Sequence, residues 1–61
     1  MDANARKLMI RFRIDGASAN ALVAAGFDTP GKIRSATRGE LQKVVSNEVV
    51  DNLKGRGQGN G

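Results

Sequence analysis

Ile14-Asp15-Gly16-Ala17-Ser18-Ala19-Asn20-Ala21-Leu22-Val23-Ala24-Ala25-Gly26-Phe27-Asp28-Thr29-Pro30-Gly31-Lys32-Ile33-Arg34-Ser35-Ala36-Thr37-Arg38-Gly39-Glu40-Leu41 reads as a helix, a glycine stop and two further helix starts. The segment Ala17 to Ala25 is built of small residues around Leu22 and Val23, so its helix lets a neighbouring backbone approach closely. Gly26 stands where a left-handed residue ends a helix, because glycine takes positive φ without a Cβ penalty. Phe27 then folds back onto the apolar face just completed. Thr29-Pro30 is a start signal: threonine accepts from a free helix amide, and proline fits the first helical position. Thr37-Arg38-Gly39-Glu40 has the form of a capping box, with Glu40 reaching back to the Thr37 amide.

Working outward, Leu8, Met9 and Phe12 have helical spacing, and Asp2 or Asn4 is available as a cap. The run Ile10-Arg11-Phe12-Arg13-Ile14 alternates apolar and charged residues, which is also a strand signature. No second convincing strand exists to pair with it, and an isolated strand is marginal. A helix from Ala5 to Phe12 giving way to an extended link near Arg13 is therefore expected. Asp15 or Ser18 caps the next helix. A third helix, Pro30 to Ala36, turns Ile33 inward and Lys32 and Arg34 outward. A fourth runs from Arg38 to Val45. Ser46 caps a fifth, Asn47 to Lys54, which Gly55 closes. Residues 55–61, Gly-Arg-Gly-Gln-Gly-Asn-Gly, are expected to be a disordered tail, though Arg56 in it can touch a polyanion.

The chain has 61 residues, which bounds it to one domain near the lower limit for independent folding. It lacks cysteine and histidine, so disulfides and thiolate or imidazole metal sites are excluded. The candidate core is Leu8, Met9, Ile10, Phe12, Ile14, Leu22, Val23, Phe27, Ile33, Leu41, Val44, Val45, Val49, Val50 and Leu53. The expected fold is all-α, a compact bundle of four to five short helices over residues 1–54. Such a core leaves no room for a pocket that encloses a sizeable substrate. Paired catalytic carboxylates, a hydroxyl–base arrangement and a phosphate-cradling Gly-x-x-x-x-Gly-Lys motif are all missing, so neither an enzyme nor a cofactor is expected. The apolar runs are too short to span a membrane. The expected setting is a reducing cell interior, the cytoplasm, or the nucleoid or nucleus if the chain is DNA-bound.

The stretch from Ile14 to Leu41 resembles the helix-hairpin-helix superfamily. It looks most like the small helical domain of archaeal Ski2-type DNA helicases and, in related form, the N-terminal domain of RecA-family recombinases. The residues that carry this are Ala19, Ala21, Leu22, Ala25, Gly26, Phe27, Thr29, Ile33, Ala36 and Leu41, and the resemblance covers about half the chain. The resemblance implies a helix-hairpin-helix (SAM-like) arrangement that contacts the DNA sugar-phosphate backbone without reading sequence. Family hairpins often carry apolar-x-Gly-apolar-Gly before the second helix. Here Ile14-Asp15-Gly16-Ala17-Ser18 keeps one glycine and replaces the other with Ser18. The second hairpin position, Val44-Val45-Ser46-Asn47-Glu48, has none.

Ten Lys/Arg oppose six Asp/Glu, a net charge of +4 that favours an anionic partner. Arg6, Lys7, Arg11 and Arg13 form an acid-free run, and such cations supply the sequence-independent, salt-sensitive part of DNA affinity. Lys32 and Arg34 are further candidates. Arg38 and Lys43 complete the basic set. Gly16 and Ser18 mark helix amides that suit a phosphate, unless Asp15 or Ser18 caps them internally. Phe12 and Phe27 read as core, which argues against base stacking. The expected function is an accessory DNA-binding module of a helicase, recombinase or other repair protein. The alternative is a protein-docking or dimerisation domain that uses the small-residue surface of Ala17 to Ala25.

Overall fold

Every helix among the described residues begins at a polar side chain that captures one of its free amides. In the computed structural model, which describes residues 2–55, there are five helices and no strand among the described residues. They are α1 (Ala3–Phe12), α2 (Gly16–Ala24), α3 (Pro30–Ser35), α4 (Arg38–Gln42) and α5 (Asn47–Lys54). Asp2, Asp15, Thr29, Thr37 and Ser46 are their N-caps, each with extended backbone angles and a side-chain oxygen accepting a backbone N–H. The Thr37 box is reciprocal: Glu40 N–H donates to Thr37 Oγ1 at 3.1 Å, and Thr37 N–H donates to Glu40 Oε1 at 2.9 Å. Capping at every start matters because helices this short are unstable alone and depend on satisfied ends and tertiary packing.

The C-terminal stops are equally local. Gly26 has φ of +98°, Phe27 N–H donates to Leu22 O at 2.8 Å, and Gly26 N–H donates to Val23 O at 3.0 Å. That pair of bonds is the Schellman closure. A Cβ at Gly26 would meet nothing within 4 Å, so the requirement for glycine there is purely conformational. Gly26→Ala should therefore lower stability by about 1 kcal/mol through backbone strain. A thermal midpoint equal to that of the parent would show that positive φ at this position carries no cost.

α1 ends differently from the expected extended link. Arg13 is left-handed, with φ 57° and ψ 49°, and Ile14 N–H donates to Met9 O at 3.3 Å. The chain thus turns sharply at a non-glycine residue, which carries a steric cost, and Ile14 is brought into the core. α4 stops at Gln42 rather than Val45, because Val44 and Val45 N–H groups both turn back to Leu41 O at 2.9 Å. The next residue, Ser46, must be extended to cap α5.

The core comprises Ala5, Leu8, Ile14, Ala19, Leu22, Ile33, Ala36, Leu41, Val50 and Leu53. Met9, Phe12, Val23, Phe27, Val44, Val45 and Val49 are half-buried against it. α1 packs on α2, and α3 and α4 each pack on α5. Ala5 and Ala19 are fully buried, so small side chains contribute to the close packing of the first two helices. Ile10 departs from the expected core: it is 74 % exposed. Two residues past Leu8 it has rotated roughly 200° around the helix axis, away from the neighbours that cover Leu8. At the far end, Lys54 Nζ donates to Arg34 O at 2.7 Å and Ala36 O at 2.8 Å. Its ammonium thereby satisfies carbonyls at the end of α3 and ties α5 to it. The expected glycine-rich tail, Arg56 included, lies outside the described residues beyond Gly55.

Candidate nucleic-acid interface

The four cations of the N-terminal run do not share one face. Lys7 and Arg11 are four apart and fall on one flank of α1, whereas Arg6 shares the outer face with exposed Ile10. The left-handed turn at Arg13 then breaks the helical register. As a result Arg11 and Arg13 both line an open cleft of about 480 Å³, together with Phe12, Asp51 and Asn52. The cleft joins the end of α1 to α5. Asn52 Nδ2 donates to Arg13 O at 3.4 Å, a bond that spans the cleft and braces the strained turn.

Asp51 would make this cleft unattractive to an anion if its charge were uncompensated. It is compensated by Arg38, whose guanidinium donates to Asp51 Oδ1 at 2.5 Å across the α4–α5 junction. Both side chains are about one-third exposed, at 34 % and 30 %. Arg38 thus belongs to an intramolecular pair, while Arg11 and Arg13 sit on the cleft wall outside any ion pair found among the described residues.

The other expected residues lie apart from this cluster. Asp15 occupies the α2 N-terminus: Ser18 Oγ–H donates to Asp15 Oδ1 at 2.5 Å and Ser18 N–H to Asp15 Oδ2 at 3.4 Å. Of the alternatives at Gly16 and Ser18, the internal cap is the one formed. The Ser18 hydroxyl bond, helped by nearby amides, holds the Asp15 carboxyl below its ordinary value of 3.8. Because the folded-state pKa is depressed, the stabilisation from this cap is present above pH of about 4 and is lost as pH falls through the folded pKa. Asp15→Asn, which still caps, should match the parent near neutrality and melt with a shallower acid limb below that pH. An unchanged acid limb would rule out Asp15 as its source.

Lys32 is engaged on α3: its ammonium faces Asp28 Oδ1, an atom out of solvent, at 3.0 Å without the alignment of a good hydrogen bond. The contact keeps the Asp28 carboxyl below its ordinary value. Arg34 and Lys43 are exposed. A second open groove, about 400 Å³, runs past Gly26, Phe27, Gly31, Lys32, Ser35, Ala36 and Glu40.

Asp51, Asn52 and Lys54 had no signal as site or bracing residues in the sequence. Arg38 and Asp51 are 13 residues apart, and Asn52 and Arg13 are 39 apart, so no local spacing announces either contact. No helix of the described residues is long and apolar enough to cross a membrane. The chain matches no protein-family model, no curated protein and no solved structure.

Proposed function

We propose that this domain is an accessory module that binds the phosphate backbone of DNA without sequence preference, as part of a DNA-processing protein. The observation that carries this reading is the placement of Arg11 and Arg13 together on an open cleft whose one carboxylate is already paired with Arg38. Lys7 on the same flank of α1 extends the positive surface, and Arg6 adds charge on the outer face. The two short-linked helix pairs, α1–α2 and α4–α5, on either side of α3 fit the helix-hairpin-helix reading. The α2 N-terminus takes no part, since Asp15 fills it. Binding rather than catalysis is proposed, with no cofactor.

The test is a titration of the chain with unrelated duplexes at several salt concentrations. Two to four engaged phosphates give a log–log salt slope of magnitude roughly 2–4, the same on each sequence. Absence of binding at low salt, or strong preference for one sequence, would defeat the proposal.

A protein-docking role has one observation in its favour: the self-capped α2 N-terminus leaves exposed Ala17, Ala24 and Ala25 as a smooth small-residue surface. In that case Ala24→Leu disrupts a complex or dimer seen by sizing, and the DNA titration is blank.

A further inference from the structure

We infer that Arg38 is a positioning residue that sets the anion affinity of the α1–α5 cleft by holding Asp51 away from Arg11 and Arg13. The inference rests on the backbone-binding reading, and the ligand it concerns is a phosphate group of the nucleic-acid chain. Three separate elements meet here. Arg11 and Arg13 come from the end of α1, Asp51 from α5, and Arg38 from the first turn of α4. Asp51 lines the same cleft as the two arginines, yet its ion pair is with Arg38, at 2.5 Å. Arg38 itself is not on the cleft wall.

A carboxylate on that wall acts against a phosphate in two ways. It repels the incoming anion, and it competes for the same guanidinium donors. Pairing with Arg38 answers both, because the charge is balanced and one carboxylate oxygen is occupied by a donor from outside the cleft. Without Arg38, the carboxylate is left to compete for Arg11 and Arg13, which line the same cleft. Asn52, adjacent to Asp51 on α5, braces the Arg13 carbonyl from the same helix. The position of α5 therefore governs both the geometry of the cationic turn and the charge of the wall facing it.

The consequence is non-additivity. Unit charges about 4 Å apart in water shift an equilibrium by roughly fivefold, which sets the scale of each step. Arg38→Gln should weaken duplex binding by roughly three- to tenfold, whereas Asp51→Asn, which removes a carboxylate that Arg38 already neutralises, should bind close to the parent or slightly tighter. In the Asp51→Asn background, Arg38→Gln should change binding little, leaving the double variant at least as tight as the parent. Arg38→Lys, which keeps the charge, should stay near the parent. Equal weakening by Arg38→Gln in both backgrounds would mean that Arg38 touches DNA directly, and the inference would fall. Binding that Arg38→Gln leaves unaltered while Asp51 is present would mean that the carboxylate does not reach the phosphate, overturning the gate but not the backbone-binding proposal. A parent that binds no duplex removes both. A measurement on the parent alone covers the case in which a variant unfolds. Titration with inorganic phosphate, followed by NMR, should move the Arg11 and Arg13 Nε–H resonances and leave that of Arg38 in place. Movement of Arg38 alone would refute the assignment.

Discussion

Leu8→Ala should abolish the cooperative thermal transition, or lower its midpoint by roughly 10 °C or more. Leu8 is fully buried at the α1 face that meets the rest of the core. Truncating a buried leucine removes its transfer energy and leaves a cavity, at a cost of about 2–5 kcal/mol. A domain with 54 described residues has a total stability of about 3–8 kcal/mol at ordinary per-residue values. One substitution therefore consumes most of what holds the fold. Ile10→Ala is the matched control: the residue is two positions away, equally apolar and 74 % exposed. Its effect should stay within about 0.5 kcal/mol. Far-UV circular dichroism against temperature reads both, and similar midpoints for the two variants would refute the burial pattern of α1.

The second large effect is on binding. Replacing Arg11 and Arg13 together with glutamine should flatten the log–log salt slope on duplex DNA by up to about two units, since each lost phosphate contact removes ~0.9. Over a fourfold rise in salt, the parent would then lose roughly tenfold more affinity than the variant. The loss should be alike on unrelated sequences. Lys43→Gln, an exposed cation on the turn after α4, should do much less. Arg13→Gly separates charge from strain. Glycine accepts the left-handed angles that cost arginine energy, so the variant should be as stable as the parent or more so while binding more weakly. If the double glutamine variant is indistinguishable from the parent, the cleft is not where the backbone sits.

The left-handed arginine also marks where sequence reasoning stopped short. From Ile10 to Ile14 the alternating pattern offered a strand or a fraying helix. The chain instead closes the helix with the Ile14 N–H to Met9 O bond and buries Ile14. Nothing in the pentapeptide announces that Arg13 will adopt αL, because arginine has no intrinsic preference for it. Burial of Ile14 and the brace from Asn52 compensate the local strain. Ile10 is the converse case: its apolarity points to the core, and helical rotation puts it outside. Ala5, Ala19 and Ala36 are absent from the candidate core, yet all are buried.

By itself the sequence determined four of the helix starts and the stop of α2. Asp15, Thr29, Thr37 and Ser46 each act on an amide three residues ahead, and Gly26 on carbonyls just behind. It also determined the inward positions Leu22, Ile33, Leu41, Val50 and Leu53, which follow from helical period and apolarity. Only the tertiary structure decided which cations gather. Arg11 and Arg13 became neighbours on one cleft, Arg6 was turned outward, and Arg38 was assigned to Asp51. Lys54 was given the end of α3. The physical reason is reach. Caps and turns are hydrogen bonds between residues two to five apart, which the chain carries wherever it goes. The contacts that shape the cleft join residues 13 to 39 apart and exist only because buried side chains bring α1, α4 and α5 together.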